Sequence, residues 1–219
     1  MPHAACPRGW LALALTCALL GACGDSAAQS APRHRIPADR ATHPAMPRAA
    51  ALAIAARKQI GVTVSYDPTY TRIPYPRGDV PESRGVCTDV VIRAFRTQGI
   101  DLQQRVHEDM RANFETYPRK WGLHRPDSNI DHRRVPNLQT WFARQGWSVA
   151  VTDRAEDYRA GDLVTWMLPG NLPHIGIVSE RKTLLRGVPL IIHNIGRGTR
   201  EDDILFDYRI TGHYRPKFP

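Results

Sequence analysis

The chain has 219 residues, with 30 Lys and Arg against 21 Asp and Glu and a formal net charge of +9. Such a balance suits either nucleic acid or an anionic cell envelope. There is no basic run and no nucleic-acid-binding motif, so a diffuse positive surface facing an envelope is expected and nucleic acid is not.

Residues 1–22 read as an export signal. Arg8 supplies the positive start, and Trp10 to Leu20 is an apolar run too short to persist as a membrane span. Leu20-Gly21-Ala22-Cys23 has the form of a lipobox, with small residues before a cysteine that becomes lipidated. Cleavage near Ala28 without lipidation is the alternative. Gly24, rather than Asp, follows Cys23, as in lipoproteins sorted to the outer membrane. The expected location is therefore the periplasm, with a lipid anchor in the outer membrane. Residues 23–45 hold the lipidated cysteine and a flexible tether rich in Ala, Ser, Pro, Arg and His. Residues 46–219 are long enough for one domain with its own core.

Ala49 to Ile60 has strong helix propensity, and Gly61 is a natural stop. Val62 to Tyr66 alternates like a strand. Residues 67–84 carry Pro68, Pro74, Pro76 and Pro81 and are expected to be an ordered loop. A helix opens at Cys87, buries Val86, Val90, Val91, Ala94 and Phe95, and ends at Gly99. The four-residue spacing of Val106, Met110 and Phe114 predicts a second helix over Leu102 to Phe114. Residues 117–136 form another polar loop. Asn137 is positioned to cap a third helix, with Leu138, Trp141 and Phe142 inward and Gly146 at its end. Strands are expected at Trp147 to Val151, Leu163 to Met167, His174 to Ser179, Leu190 to Ile195 and Ile210 to Tyr214. Helices followed by hairpin-linked strands imply an α+β fold with an antiparallel sheet.

The chain has four cysteines, Cys6, Cys17, Cys23 and Cys87, and the first three belong to the export segment or its end. Cys87 is then a lone thiol in an oxidising compartment, so it serves no internal disulfide. A cysteine nucleophile acts as thiolate, and a helix start favours that form through its unpaired N–H groups. The Cys87 N–H would also suit the oxyanion of an acyl intermediate. A histidine is needed to move the thiol proton, and a further group to orient it. His174 begins a strand. If the hairpin turn is centred between Thr183 and Leu184, His174 lies directly opposite His193, on one face of the sheet, and Asn194 points to the other. A one-residue slip would substitute Asn194; His213 is a weaker substitute.

Asp131, His132 and Arg133, with Arg134 beside them, form a loop cluster that is a candidate for binding a substrate carboxylate through bidentate Arg contacts; a loop held by its own hydrogen bonds is the alternative. His107-Glu108-Asp109 are consecutive on a helix, so their side chains fan out. Glu201-Asp202-Asp203 resembles an acidic loop but has too few alternating oxygen ligands for calcium. There is no zinc spacing and no phosphate-binding glycine loop, so neither metal nor cofactor is expected.

Cys87 at a helix start, Gly161-Asp162-Leu163-Val164-Thr165-Trp166, His174-Ile175-Gly176-Ile177-Val178 and Ile192-His193 together resemble the NlpC-type papain-like cysteine peptidases, many of which cut cell-wall peptides. The resemblance implies a papain-like domain with Cys87, His174 and His193 as its catalytic residues. Val86 and Thr88 depart from the residues usual beside the nucleophile, and residues 100–146 are an addition to the shorter relatives. Gly85-Val86-Cys87-Thr88-Asp89-Val90-Val91, Asn129-Ile130-Asp131-His132-Arg133 and Gly161-Asp162-Leu163-Val164 are similar to signatures of a bacterial family known as domain of unknown function 1287. That second resemblance covers nearly all of residues 46–219. The expected activity is hydrolysis of an amide bond in the peptide part of peptidoglycan. Thiol-dependent acyl or peptidyl transfer is one alternative, and a non-catalytic envelope-binding domain is another.

Overall fold

The computed structural model describes residues 46–218, so the export signal, Cys23 and the tether through residue 45 lie outside the described residues. The alanine-rich segment forms helix α1, Arg48–Arg57, which buries Leu52, Ala53 and Ala56. It stops short of Ile60, and the chain turns through Gly61 at φ +80°. The expected strand at 62–66 shrinks to β1, Ser65–Tyr66, paired in parallel with β2, Arg84–Gly85. The prolines between them withhold backbone donors, so no longer ladder forms.

Helix α2, Cys87–Thr97, begins at the thiol and buries Val90, Val91, Ala94 and Phe95. Helix α3, Leu102–Ala112, buries Val106 and Met110. It ends before Phe114, because Asn113 leaves the helical region at φ −139° and its side chain donates to the Asp109 carbonyl. Helix α4 is Val135–Arg144, with Arg134 rather than Asn137 at the cap position. Pro136 sets this start, since its fixed φ suits a first turn where no N–H is required. Asn137 instead turns inward, and its Nδ2 donates to the Asp131 carbonyl at 3.0 Å.

The sheet comprises β3 (Ser148–Val149), β4 (Leu163–Leu168), β5 (Leu172–Lys182), β6 (Pro189–Asn194), β7 (Thr199–Asp202) and β8 (Arg209–Tyr214). All neighbours are antiparallel, in the order β3-β8-β4-β5-β6-β7. Strand β7 replaces the expected acidic loop at 201–203. It is an edge strand of charged and polar residues and carries no apolar alternation.

Alternation along the strands separates two cores. Leu163, Ile175, Ile177 and Ile192 face the helices and pack with Phe95, Leu138, Phe142 and Cys87. Val164, Trp166, Val178 and Ile191 face the other way and pack with Tyr158 and Leu205. Trp166 is fixed there by a 3.0 Å hydrogen bond from its indole N–H to the Leu205 carbonyl. The β5–β6 ladder pairs Ile177 with Ile192 and Val178 with Ile191, and an irregularity follows between Val178 and Lys182. This register is displaced by two positions from the one expected from a turn at Thr183–Leu184. An even displacement leaves every side chain on its expected face.

Candidate active site

Cys87 is the first residue of α2, and two contacts fix that start. The Asp89 carboxylate accepts the Val86 N–H at 2.7 Å, as half of a capping box does. Arg133 donates to both Asp89 oxygens at 3.0 Å. Thr88 Oγ1 adds a 3.1 Å bond to the Arg133 carbonyl. Gly85 is required beside this knot, because a Cβ there would lie 2.9 Å from Asp89 Oδ2. The two motifs around Cys87 and Arg133 therefore interlock.

The thiol is 4% exposed. Burial pushes its pKa up to about 12, with the Asp89 charge adding to the rise. The backbone N–H groups of Ile175, Thr88 and Cys87 itself oppose that rise by favouring the thiolate. The helix start thus supplies the expected donors, but at rest desolvation outweighs them. A cleft of about 180 Å³ borders Cys87, with Tyr66, Trp121, Arg133, Arg134 and Pro173 among its walls. Burial, with the charges of Cys87 and Asp89, raises the Tyr66 phenol to about 12.

His174, His193 and Asp202 form a row on three adjacent strands. His174 Nε2 lies 3.0 Å from His193 Nδ1, and His193 Nε2 lies 3.2 Å from Asp202 Oδ2. The imidazoles meet diagonally, not directly opposed, because in the observed register Gly176 stands across from His193. Gly176 leaves the space they need: a Cβ there would sit 2.5 Å from Ile191 Cγ2 and 3.2 Å from His193 Cβ. Burial lowers the His174 pKa to about 3, with His193 contributing, so His174 is neutral at pH 7. Burial lowers His193 as well, against the pull of Asp202.

This row assigns the tautomers. A carboxylate only accepts, so His193 carries its proton on Nε2 and presents a lone pair at Nδ1. His174 then donates from Nε2 and leaves Nδ1 as its basic nitrogen. Asp202 went unrecognised in the sequence because it sits in a short charged stretch. Its only sequence signal was its parity, which a correct register would have placed on the His193 face.

Cys87 and His174 lie on opposite faces of β5 and are not hydrogen-bonded to each other. Cys87 packs on the face of Ile175, and His174 shares the face of Trp166, whose ring centroid is 6.0 Å away. The proposed substrate-binding residues need correction. Asp131 and His132 are 0% and 2% exposed, and the Arg133 fork is filled by Asp89. The cluster is chiefly the internal brace of the loop. Burial raises Asp131 to about 7 and lowers His132 to about 3. His213 is removed from the row: its Nε2 lies 2.8 Å from Asp162 Oδ2 and its Nδ1 3.1 Å from the Ala150 carbonyl. Asn194 holds β1 and β2 through the Ser65 and Gly85 carbonyls. Among the described residues, no group of three His, Cys, Asp or Glu side chains is placed to hold a metal ion.

The family model described as "Domain of unknown function (DUF1287)" matches residues 53–216. A curated protein of Escherichia coli (strain K12), "Uncharacterized protein YijF", is 58% identical over 165 residues, which cover 75% of this chain and 80% of that one. Among solved structures, NlpC1 from Trichomonas vaginalis aligns with a TM-score of 0.40 at 12% identity. That alignment covers 76% of this chain and 43% of the Trichomonas chain, so the chain spans less than half of that protein's length.

Proposed function

The chain belongs to the DUF1287 family, and from that premise we propose that it is an exported, papain-like thiol hydrolase that cleaves an amide bond in peptidoglycan peptides. The observation that carries this reading is the His174–His193–Asp202 row, which leaves a basic nitrogen on the strand beside a helix-capped cysteine. In this reading Cys87 is the nucleophile, His174 the general base and acid, and His193 and Asp202 orient His174. Cys87 packs with Ile175 and His174 lies on the Trp166 face of β5, so in this reading both side chains leave their resting positions for Sγ to meet His174 Nδ1.

The thiol proton then passes to Nδ1 as the S–C bond forms and the carbonyl electron pair moves onto oxygen. The Cys87 N–H, at the helix start, receives that oxyanion. His174 returns the proton to the departing amine as the C–N bond breaks. Water, activated by the same nitrogen, hydrolyses the thioester. Because both resting partners are neutral, proton transfer accompanies substrate binding rather than preceding it. Lipidation at Cys23, a periplasmic location and an envelope substrate belong to the same proposal.

The burial and raised pKa of Cys87 favour one other reading, a non-catalytic envelope-binding domain. Purified peptidoglycan incubated with the full chain and with its Cys87→Ala form separates the two. New peptide fragments from the wild type alone support the hydrolase. Fragments from neither support the binding domain. An added amine acceptor that appears in the products would instead indicate acyl transfer.

A further inference from the structure

Arg134 is the one guanidinium on the cleft wall that has not been assigned a task. Its neighbour Arg133 is saturated by Asp89 and by the Thr69 and Asp67 carbonyls. The Arg134 side chain is only 16% exposed, and its nearest acid is Asp131 Oδ1 at 4.0 Å, beyond hydrogen-bond reach. None of its N–H groups donates to a protein acceptor, and both Nη1 and Asp131 Oδ1 are buried without a partner. A largely buried cation whose Nη1 has no acceptor is costly unless something completes it.

The guanidinium is held rigidly. Its carbon lies 4.2 Å above the Trp121 ring, a stacking that fixes the plane of the guanidinium. Trp121 is 50% exposed and adopts φ +68°, an unusual backbone for an aromatic residue. Both residues line the cleft that ends at Cys87. Its volume of about 180 Å³ is that of about six waters, which suits one residue-sized group rather than a long peptide.

We propose that Arg134, stacked on Trp121, is a receptor for a free carboxylate carried by the residue next to the bond that Cys87 attacks. This rests on the hydrolase reading for the identity of the bond, but the recognition can be tested without catalysis. A carboxylate matches the planar fork of Arg134 in two parallel hydrogen bonds, and a neutral amide in the same place cannot. The substrates are thus peptides with an unblocked acid beside the scissile amide, and amidation of that acid blocks recognition.

The probes are purified peptidoglycan sacculi and the same sacculi with their carboxylates converted to methylamides. Cosedimentation of the full-length Cys87→Ala chain gives an affinity for each. The expected result is that amidation weakens binding by about 10- to 100-fold, the loss of one charge-assisted pair. Arg134→Leu should bind both forms equally weakly, Arg134→Lys should recover part of the preference, and Trp121→Ala, an exposed change, should reduce it. Arg209→Leu, which removes an exposed charge elsewhere, should keep the full preference, which separates the subsite from general attraction to an anionic polymer. Equal sensitivity to amidation in Arg134→Leu and its parent would overturn the proposal, as would an absence of binding to native sacculi. Digestion by the wild type is read separately. Selective binding without digestion would sink the hydrolase and keep the subsite. Digestion indifferent to both Arg134 and amidation would do the reverse.

Discussion

Replacing Arg133 by Leu should destabilise the domain heavily, because it strands a buried charge. The Arg133 and Asp89 side chains are 2% and 4% exposed. Two hydrogen bonds of 3.0 Å join them. Without Arg133 the Asp89 carboxylate keeps the Val86 N–H at 2.7 Å but no counter-charge. Breaking a buried pair from one side costs about 3–5 kcal/mol. For a domain of this size each kcal/mol lowers Tm by about 2–4 °C, so the melting temperature should fall by about 6–20 °C. Thermal unfolding followed by circular dichroism measures this directly. The Asp89→Leu/Arg133→Leu double variant should lose less than the two single variants combined, since neither charge is then left alone. The local effect should be visible too: iodoacetamide should modify Cys87 faster in Arg133→Leu, as the helix start loosens. A Tm within about 2 °C of the wild type would refute the claim that this pair holds the Cys87 turn.

Asp202→Asn should reduce kcat by roughly 100-fold or more with KM little changed, because an amide no longer enforces the His193 tautomer; steady-state kinetics on released peptidoglycan fragments would show it. Asp131 has a folded pKa raised to about 7, so the unfolded chain loses its proton first as pH rises. Its contribution therefore reduces stability between about pH 4 and pH 7, by roughly 2–4 kcal/mol in all. His132 and His174, held neutral by burial, act in the opposite sense and remove stability as pH falls below about 6.5. Urea unfolding at pH 4.5 and 7.5 should accordingly show Asp131→Asn gaining relative to wild type at the higher pH only. Gly176→Ala should cost about 1–3 kcal/mol by overpacking and separate the two imidazoles, measurable as a lower Tm together with lost turnover.

Long, strongly patterned elements were legible in the sequence. The stripe of α2, its start at Cys87 and the core strands β4, β5 and β6 follow from period and propensity alone. The strand register was not. The turn is centred between Leu185 and Arg186, since Lys182 pairs with Pro189, and the irregularity between Val178 and Lys182 takes back half of that shift, which no alternation pattern reveals. The His174–His193 contact survived because a shift of two preserves the face. Asn137 looked like a cap by residue type, yet Pro136, one position earlier, set the start of α4. The brace role of Asp131, His132 and Arg133 was hidden because charged residues in a polar loop suggest exposure. Only the fold shows that Asp89, 44 residues away in the other motif, takes the Arg133 fork. Asp202 escaped notice for a related reason: an edge strand with exposed polar residues has no hydrophobic signature.

The most direct test of the central claim is to look for a covalent intermediate. The full chain is mixed with peptidoglycan fragments, quenched in acid within the first turnovers, and analysed by intact-protein and peptide mass spectrometry. The expected result is a thioester adduct that maps to Cys87, absent from Cys87→Ala and strongly reduced in His174→Ala. Fragment release by Cys87→Ala at the wild-type rate, with no adduct on the wild type, would contradict it.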